Sequence, residues 1–246
     1  MMSLPKASLI DIVTKQYLYK LKANIDAFSS LIGIQLLALL LSFTGSTSSS
    51  MGGGDVSVEI QYFTADVIII FTLIWSLVTA ITVTTKPNRK HEFSFVTNRL
   101  SSSLSNIMFL VTSCIIGGVT SILAGNLLRV INYLFYERDY YSLSGDSHII
   151  NEMAVAFLYL VLMSSIGYII GSLVQFNKIF VFLIPAFVVG TLIWGGYTQK
   201  EPFLTDVFQF YVLETIPFLF VLKIVLTSGV LFTIAIQIFN RLEVRK

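Results

Sequence analysis

Long apolar runs constrain the fold of this chain more than any other feature of its sequence. A helix that crosses a membrane needs about 20 mostly apolar residues, and six stretches reach or approach that length. They lie at residues 27–43, 63–83, 107–130, 154–174, 179–194 and 216–239. Each run is continuous, whereas the strands of an outer-membrane barrel alternate over about 10 residues. The pattern predicts an all-α integral membrane protein, a single domain with six transmembrane helices.

Composition excludes several other classes of protein. Of the 246 residues, 55% are hydrophobic and 12% are charged, about half of the roughly 25% charged residues in an average soluble domain. A formal net charge of only +2 argues against a nucleic-acid partner, which normally requires a basic face. The single cysteine excludes an internal disulfide framework and a cysteine-based zinc site. Two histidines leave little room for a His-rich metal centre, so we expect no resident metal.

The placement of Lys and Arg predicts the orientation, because cytoplasmic loops of membrane proteins carry an excess of these residues. With six alternating helices, Arg138 and Lys200 lie on one side. Arg129 and Lys223 fall inside apolar stretches, and the remaining twelve lie on the opposite side. Both ends of the chain are therefore predicted to be cytoplasmic, and the outer face is predicted to be acidic.

The first 26 residues have the pattern of an amphipathic helix at the cytoplasmic interface. One apolar stripe recurs at helical spacing, and three lysines occupy the rest of the surface, where they would face anionic headgroups. The stripe is Leu9, Ile10, Val13, Tyr17 and Leu21, and the lysines are Lys15, Lys20 and Lys22. The alternative interpretation is a helix packed on a partner.

The three predicted external loops differ in character. Gly and Ser dominate Gly45–Asp55, which is typical of a flexible loop. Tyrosines in Tyr133–Asp146 fit the aromatic belt of a membrane interface, with a substrate-contact surface as the alternative. The run Gly195–Thr215 is too apolar for a free loop and too short to cross, which favours a short helical hairpin dipping into the outer leaflet.

Motifs for catalysis are missing from the sequence. The pair His91-Glu92 begins an HExxH-like pattern but lacks the second histidine of a zinc protease. A Walker motif is also absent, so we expect that this chain is not an enzyme and does not itself hydrolyse ATP.

Three ionisable residues enter the apolar stretches, namely Asp66, Arg129 and Lys223. Such residues are candidates for a functional site because burying a charge in lipid is costly. Asp66 and Arg129 lie near the predicted outer interface, where they can simply reach water. Lys223 lies deeper, so a water-filled cavity or a carboxylate partner is expected there, with Asp66 the nearest carboxylate in depth.

Small residues at helical spacing predict close helix packing in two of the spans. They are Gly117, Gly118 and Ser121 in the third span, and Ser164, Gly167 and Gly171 in the fourth. Packing within one subunit is the simple interpretation, and a dimer face is the alternative.

The complete layout resembles the membrane subunit of a bacterial ABC exporter, of the type in which a six-helix permease pairs with a separate ATPase. An interfacial helix precedes six spans, a basic loop at residues 84–106 separates the second and third, and an apolar external element precedes the sixth. Members often begin that loop with a Pro-x-x-Arg-like motif. Here Pro87-Asn88-Arg89 is one residue shorter.

The resemblance implies a mechanism and a set of partners. The loop would carry a coupling helix that docks on the ATPase, with Phe93 and Phe95 as apolar plugs and Arg89, Lys90 and Arg99 as polar contacts. ATP and Mg would be bound by that partner and no cofactor by this chain. A second permease subunit would complete the path, with membrane lipid around it in the bacterial cytoplasmic membrane.

Two other functions stay open at this stage. The protein could be a non-transporting immunity or sensor protein that binds a peptide at its acidic outer face. It could instead be a channel or secondary transporter, which requires polar residues at mid-membrane or inverted repeats. No internal repeat is evident, and Lys223 alone meets the first requirement.

Overall fold

The structure is a computed structural model, and it describes residues 9–44, 47–52, 57–62, 66–85, 99–136, 149–198, 203–214 and 216–242. These residues form eight helices and two strands. The helices are α1 (Leu9–Ala23), α2 (Ile25–Thr44), α3 (Asp66–Thr84), α4 (Arg99–Tyr136), α5 (Ile149–Phe176), α6 (Phe180–Thr198), α7 (Phe203–Val212) and α8 (Pro217–Leu242). The strands are β1 (Thr47–Gly52) and β2 (Ser57–Tyr62).

Five of the described helices are long and apolar enough to cross a membrane: α2, α3, α4, α5 and α8. This confirms the expectation of a helical, multi-pass membrane protein. The predicted fifth span corresponds to α6, whose apolar stretch Phe180–Gly195 is shorter than the other five. Pro185 lies inside α6 and removes one backbone hydrogen bond there. Pro217 begins α8, a position that needs no amide donor.

The third span extends well beyond its predicted limits. Residues 107–130 are the apolar core of α4, but the helix begins at Arg99 and continues to Tyr136. The residues before Ile107 were expected to belong to the cytoplasmic loop 84–106. Serines are weak helix formers in isolation, and the run Ser101–Ser103 is therefore easily mistaken for a loop when packing is not known. In the folded protein Ser101, Ser103 and Ser105 are buried, and Ser105 Oγ donates to Gln16 Oε1 of α1 at 3.4 Å.

Two of the predicted external loops differ from expectation. Strands β1 and β2 pair antiparallel, from Thr47 opposite Tyr62 to Gly52 opposite Ser57, so much of the segment expected to be flexible forms a β-hairpin. The alternation in Ser57–Tyr62 is the strand signal that the Gly and Ser content obscured. Before α8, where a helical hairpin was expected, the described residues between Thr198 and Pro217 contain one helix, α7.

Glycines allow α5 to lie close against α3 and α4. A Cβ atom added to Gly167 would come within 2.4 Å of the Leu77 carbonyl oxygen, and one added to Gly171 would come within 2.1 Å of Thr84 Oγ1. On α4, a Cβ on Gly118 would lie 3.3 Å from the backbone nitrogen of Phe157. These contacts confirm that small residues serve packing within one subunit.

Three buried clusters show how the ends of α2, α3, α4, α5 and α8 are placed relative to one another. One cluster unites the start of α4 with the ends of α3, α5 and α8, and Tyr17 of α1 packs against it. A second unites the end of α2 with the start of α3 and the late part of α4, and a third joins the first half of α5 to the start of α8. Helix α1 and the last turns of α8 therefore lie at the same end of the bundle.

Candidate functional site

The junction between α1 and α4 is built around a buried lysine. Lys20 is only 4% exposed, and its Nζ donates to the Ser102 carbonyl oxygen at 2.9 Å and to Asn106 Oδ1. Oxygen acceptors of this kind offset the cost of removing an ammonium group from water. Lys20 was expected at the headgroup surface with Lys15 and Lys22. Its inward position is a correction: α1 packs on α4 through a face that includes a charge.

The remaining contacts of α1 settle which part of its predicted stripe is buried. Val13 is buried, and the Tyr17 hydroxyl lies 2.9 Å from Thr112 Oγ1 on α4. Leu21 packs against the same buried cluster as Tyr17. Leu9 and Ile10, by contrast, are exposed at the start of the helix. One face of α1 therefore packs on α4 within the chain.

Most of the predicted ATPase-coupling residues lie outside the part of the chain that the structure describes. These are Pro87, Arg89, Lys90, Phe93 and Phe95. Arg99 is the first residue of α4. Arg99 therefore lies at the start of the longest described helix. It is one turn before Ser102, whose carbonyl oxygen accepts a hydrogen bond from Lys20 of α1.

Lys223 has a carboxylate partner, but it is not the one expected. Its Nζ forms an ion pair with Glu214 and lies 4.0 Å from the centre of the Phe210 ring, within the range of a cation–π contact. The same nitrogen is 3.5 Å from the Phe210 carbonyl oxygen. The expected candidate, Asp66, is instead the exposed first residue of α3. The local partner was missed because Glu214 lies in the connection before α8, outside the apolar run.

These contacts attach α7 to the start of α8 and to α5. The Tyr159 hydroxyl donates to the Tyr211 carbonyl oxygen at 3.4 Å, and the Tyr159 ring meets Phe220 edge to face at 5.3 Å. Lys223 is thereby neutralised within a packed corner. In this conformation the charge of Lys223 is paired within the chain.

Arg129 is not brought together with either of the other two ionisable candidates. It lies two turns before the end of α4, and its side chain is exposed. Asp66 is likewise exposed. Both positions agree with the simple interpretation, in which the side chain reaches water at the membrane surface.

A buried amide at the middle of α2 was missed by the sequence analysis. Gln35 Nε2 donates to Thr120 Oγ1 on α4 at 3.0 Å and to Thr72 Oγ1 on α3 at 3.3 Å. A second polar contact joins α2 and α3 nearer the start of α2, where Trp75 Nε1 donates to Ser30 Oγ at 3.0 Å and to the Ala27 carbonyl oxygen. The signal was available, since Gln35 is an amide inside an otherwise apolar run.

The described residues contain no group of three or more His, Cys, Asp or Glu side chains that could hold a metal ion. Comparisons of the chain with protein-family models, with curated proteins and with solved structures give no match.

Proposed function

We propose that this protein is the membrane-embedded permease subunit of an ATP-driven ABC exporter in the bacterial cytoplasmic membrane. In this proposal the segment 84–106 docks on a separate ATPase, which binds ATP and Mg, and a second permease subunit completes the path. Six spans cross the membrane, α6 among them, and both termini are cytoplasmic.

The length of α4 is the observation that carries the proposal. Its 38 residues extend over about 57 Å at about 1.5 Å per residue, whereas the hydrocarbon core of a bilayer is about 30 Å thick. A continuous helix of this length projects beyond the hydrocarbon. Helix α4 begins at Arg99, within the predicted coupling segment 84–106. In this proposal a movement of the segment is therefore passed directly to a continuous helix that enters the membrane.

Helix α1 supports the same proposal because it packs against the first turns of α4. Lys20 contacts Ser102 and Asn106, which lie in the first two turns of α4. Tyr17 contacts Thr112 further along the helix. A displacement of Arg99 would therefore move α1 and α4 together. Helix α1 is joined through Asn24 to α2, which is long enough to cross the membrane.

Affinity purification of the tagged full chain from its native membrane in mild detergent, followed by mass spectrometry, tests the proposal. We expect an ATPase with nucleotide-binding motifs to co-purify, and the double variant Phe93→Asp/Phe95→Asp to lose it. Lys178→Asp is the matched control, since it alters charge on the other predicted cytoplasmic loop. Absence of an ATPase from the wild-type sample, under conditions that preserve known membrane complexes, would overturn the proposal.

The β-hairpin favours a second candidate function, that of an immunity or sensor protein. Paired strands β1 and β2 lie between α2 and α3 on the predicted outer side, and the edge of a two-stranded hairpin can accept a further peptide strand. Deletion of residues 47–62 distinguishes the two functions. It abolishes peptide binding if the hairpin is the recognition site, and it leaves ATPase co-purification intact if the protein is a permease.

A further inference from the structure

The three lysines of α1 have two different environments. Lys20 is buried against α4, whereas Lys15 and Lys22 are exposed. Lys15 and Lys22 are seven positions apart, so a helix of 3.6 residues per turn places them on one face about 10 Å apart along the axis. Neither makes an ion pair with any residue that the structure describes.

The rest of that face suits the boundary between headgroups and acyl chains. Leu18 and Tyr19 flank the two lysines and are 52% and 43% exposed. Asp11 is the one acidic residue in α1, and it lies one turn before Lys15. Exposed lysines beside exposed apolar side chains are the features by which a helix binds an anionic membrane surface.

The chain also fixes α1 at the level of the bilayer. Asn24 alone separates α1 from α2, and both its backbone and its side-chain amide donate to the Lys20 carbonyl oxygen. Since α2 is one of the helices that can cross the membrane, the end of α1 lies where a span begins. The face bearing Lys15 and Lys22 points away from α4.

We propose that this face binds anionic phospholipid headgroups, and that Lys20 passes the effect of that contact to the start of α4. Lys15 and Lys22 supply the attraction to the phosphate and the net negative charge of the lipid. Lys20 joins the lipid-bound helix to Ser102 and Asn106. The lipid composition of the leaflet thereby regulates how firmly the first turns of α4 are held, whatever the protein transports or senses.

The magnitude of the effect follows from surface electrostatics. A lysine near an anionic membrane surface contributes about 1 kcal/mol, which corresponds to about a fivefold change in affinity. Lys15→Gln and Lys22→Gln should each reduce the preference for phosphatidylglycerol over phosphatidylcholine by about fivefold. Added salt should reduce the wild-type preference as well, because the Debye length shortens.

The experiment uses the full-length protein in mild detergent with graded amounts of either lipid, and native mass spectrometry counts the lipids that remain bound. Lys178→Gln is the matched control, because it removes one exposed lysine outside α1. We expect it to retain the wild-type preference. An equal loss in Lys178→Gln, or no preference for phosphatidylglycerol in the wild type, overturns the lipid site. The lipid site is also overturned if the double variant Lys15→Gln/Lys22→Gln keeps the lipid preference but no longer co-purifies with an ATPase. That result would show that this face of α1 binds protein.

Hydrogen–deuterium exchange tests the role assigned to Lys20. In nanodiscs of phosphatidylcholine, addition of phosphatidylglycerol should slow exchange in residues 9–23 and 99–112 of the wild type. Lys15→Gln/Lys22→Gln should show neither effect. Lys20→Met should retain the slowing in residues 9–23 and lose it in residues 99–112. If phosphatidylglycerol slows exchange in both segments of Lys20→Met, the coupling role of Lys20 is overturned. The number of lipids bound in native mass spectrometry then still decides whether the face binds anionic lipid.

Discussion

Lys223 and Glu214 form an ion pair across the junction between α7 and α8, with the Lys223 ammonium also above the ring of Phe210. The side chains are 25% and 15% exposed, so both are largely removed from water. Lys223 lies nearly two turns into a membrane-crossing helix, and an unpaired charge at that depth is costly. The pair therefore fixes the position of α7 relative to α8.

Removal of one partner should cost more than removal of both. Lys223→Met leaves a shielded carboxylate and Glu214→Gln leaves a shielded ammonium, and we expect each to lower the free energy of unfolding by about 1–3 kcal/mol. The double variant leaves neither charge unpaired and should be closer to the wild type. SDS titration of the protein in mild-detergent micelles gives the three values. A double variant whose loss equals the sum of the single losses contradicts the ion pair.

The close approach of α3 and α5 leads to a second prediction. A Cβ on Gly167 would lie 2.4 Å from the Leu77 carbonyl oxygen, so Gly167→Ala must push two helix backbones apart. Overpacking of this kind costs about 1–3 kcal/mol. Gly190→Ala on α6 is the control, because a Cβ there meets no described atom within 4 Å. The same SDS titration should show destabilisation in Gly167→Ala only, and equal midpoints for the two variants would contradict this helix contact.

The single cysteine provides a third prediction. Cys114 is 1% exposed and its sulfur lies 3.7 Å from Ser76 Oγ, within the contact of α3 and α4. A thiol reacts only when it is accessible as the thiolate. A membrane-permeant maleimide should therefore modify the folded protein at least tenfold more slowly than the SDS-denatured protein, as measured by mass shift over time. Gly190→Cys, which adds a second thiol at an open position, is the accessible control.

Periodicity and hydropathy were sufficient to predict the apolar helices, because a span depends on local sequence. Residues 63–83 and 216–239 differ from α3 and α8 by at most three residues at either end. The errors concern tertiary contacts. Serines at the start of α4 are helical because α1 and other elements cover them, and Lys20 faces inward because α4 supplies carbonyl and amide oxygens.

The candidate site shows the same division between local and tertiary information. That Lys223 needs either a water-filled cavity or a carboxylate partner could be predicted from its depth in an apolar run. That the carboxylate is Glu214 depends on how the connection before α8 folds back, which no spacing rule specifies. Gln35 could have been identified as an intramembrane amide, but its partners Thr72 and Thr120 lie on two other helices and are known only from the packing.

The hydrogen bonds of Gln35 lead to a fourth prediction. Its amide joins α2 to α3 and α4, and side-chain hydrogen bonds between membrane helices contribute about 0.6 kcal/mol on average. Gln35→Leu should therefore lower the free energy of unfolding by only about 0.5–1 kcal/mol in SDS titration, and Thr72→Val should do the same. The double variant should lose less than the sum of the two single losses, because both changes break one shared hydrogen bond. Strict additivity would show that the amide and the hydroxyl do not interact, and a loss several times larger would show that Gln35 also organises polar groups beyond these two threonines.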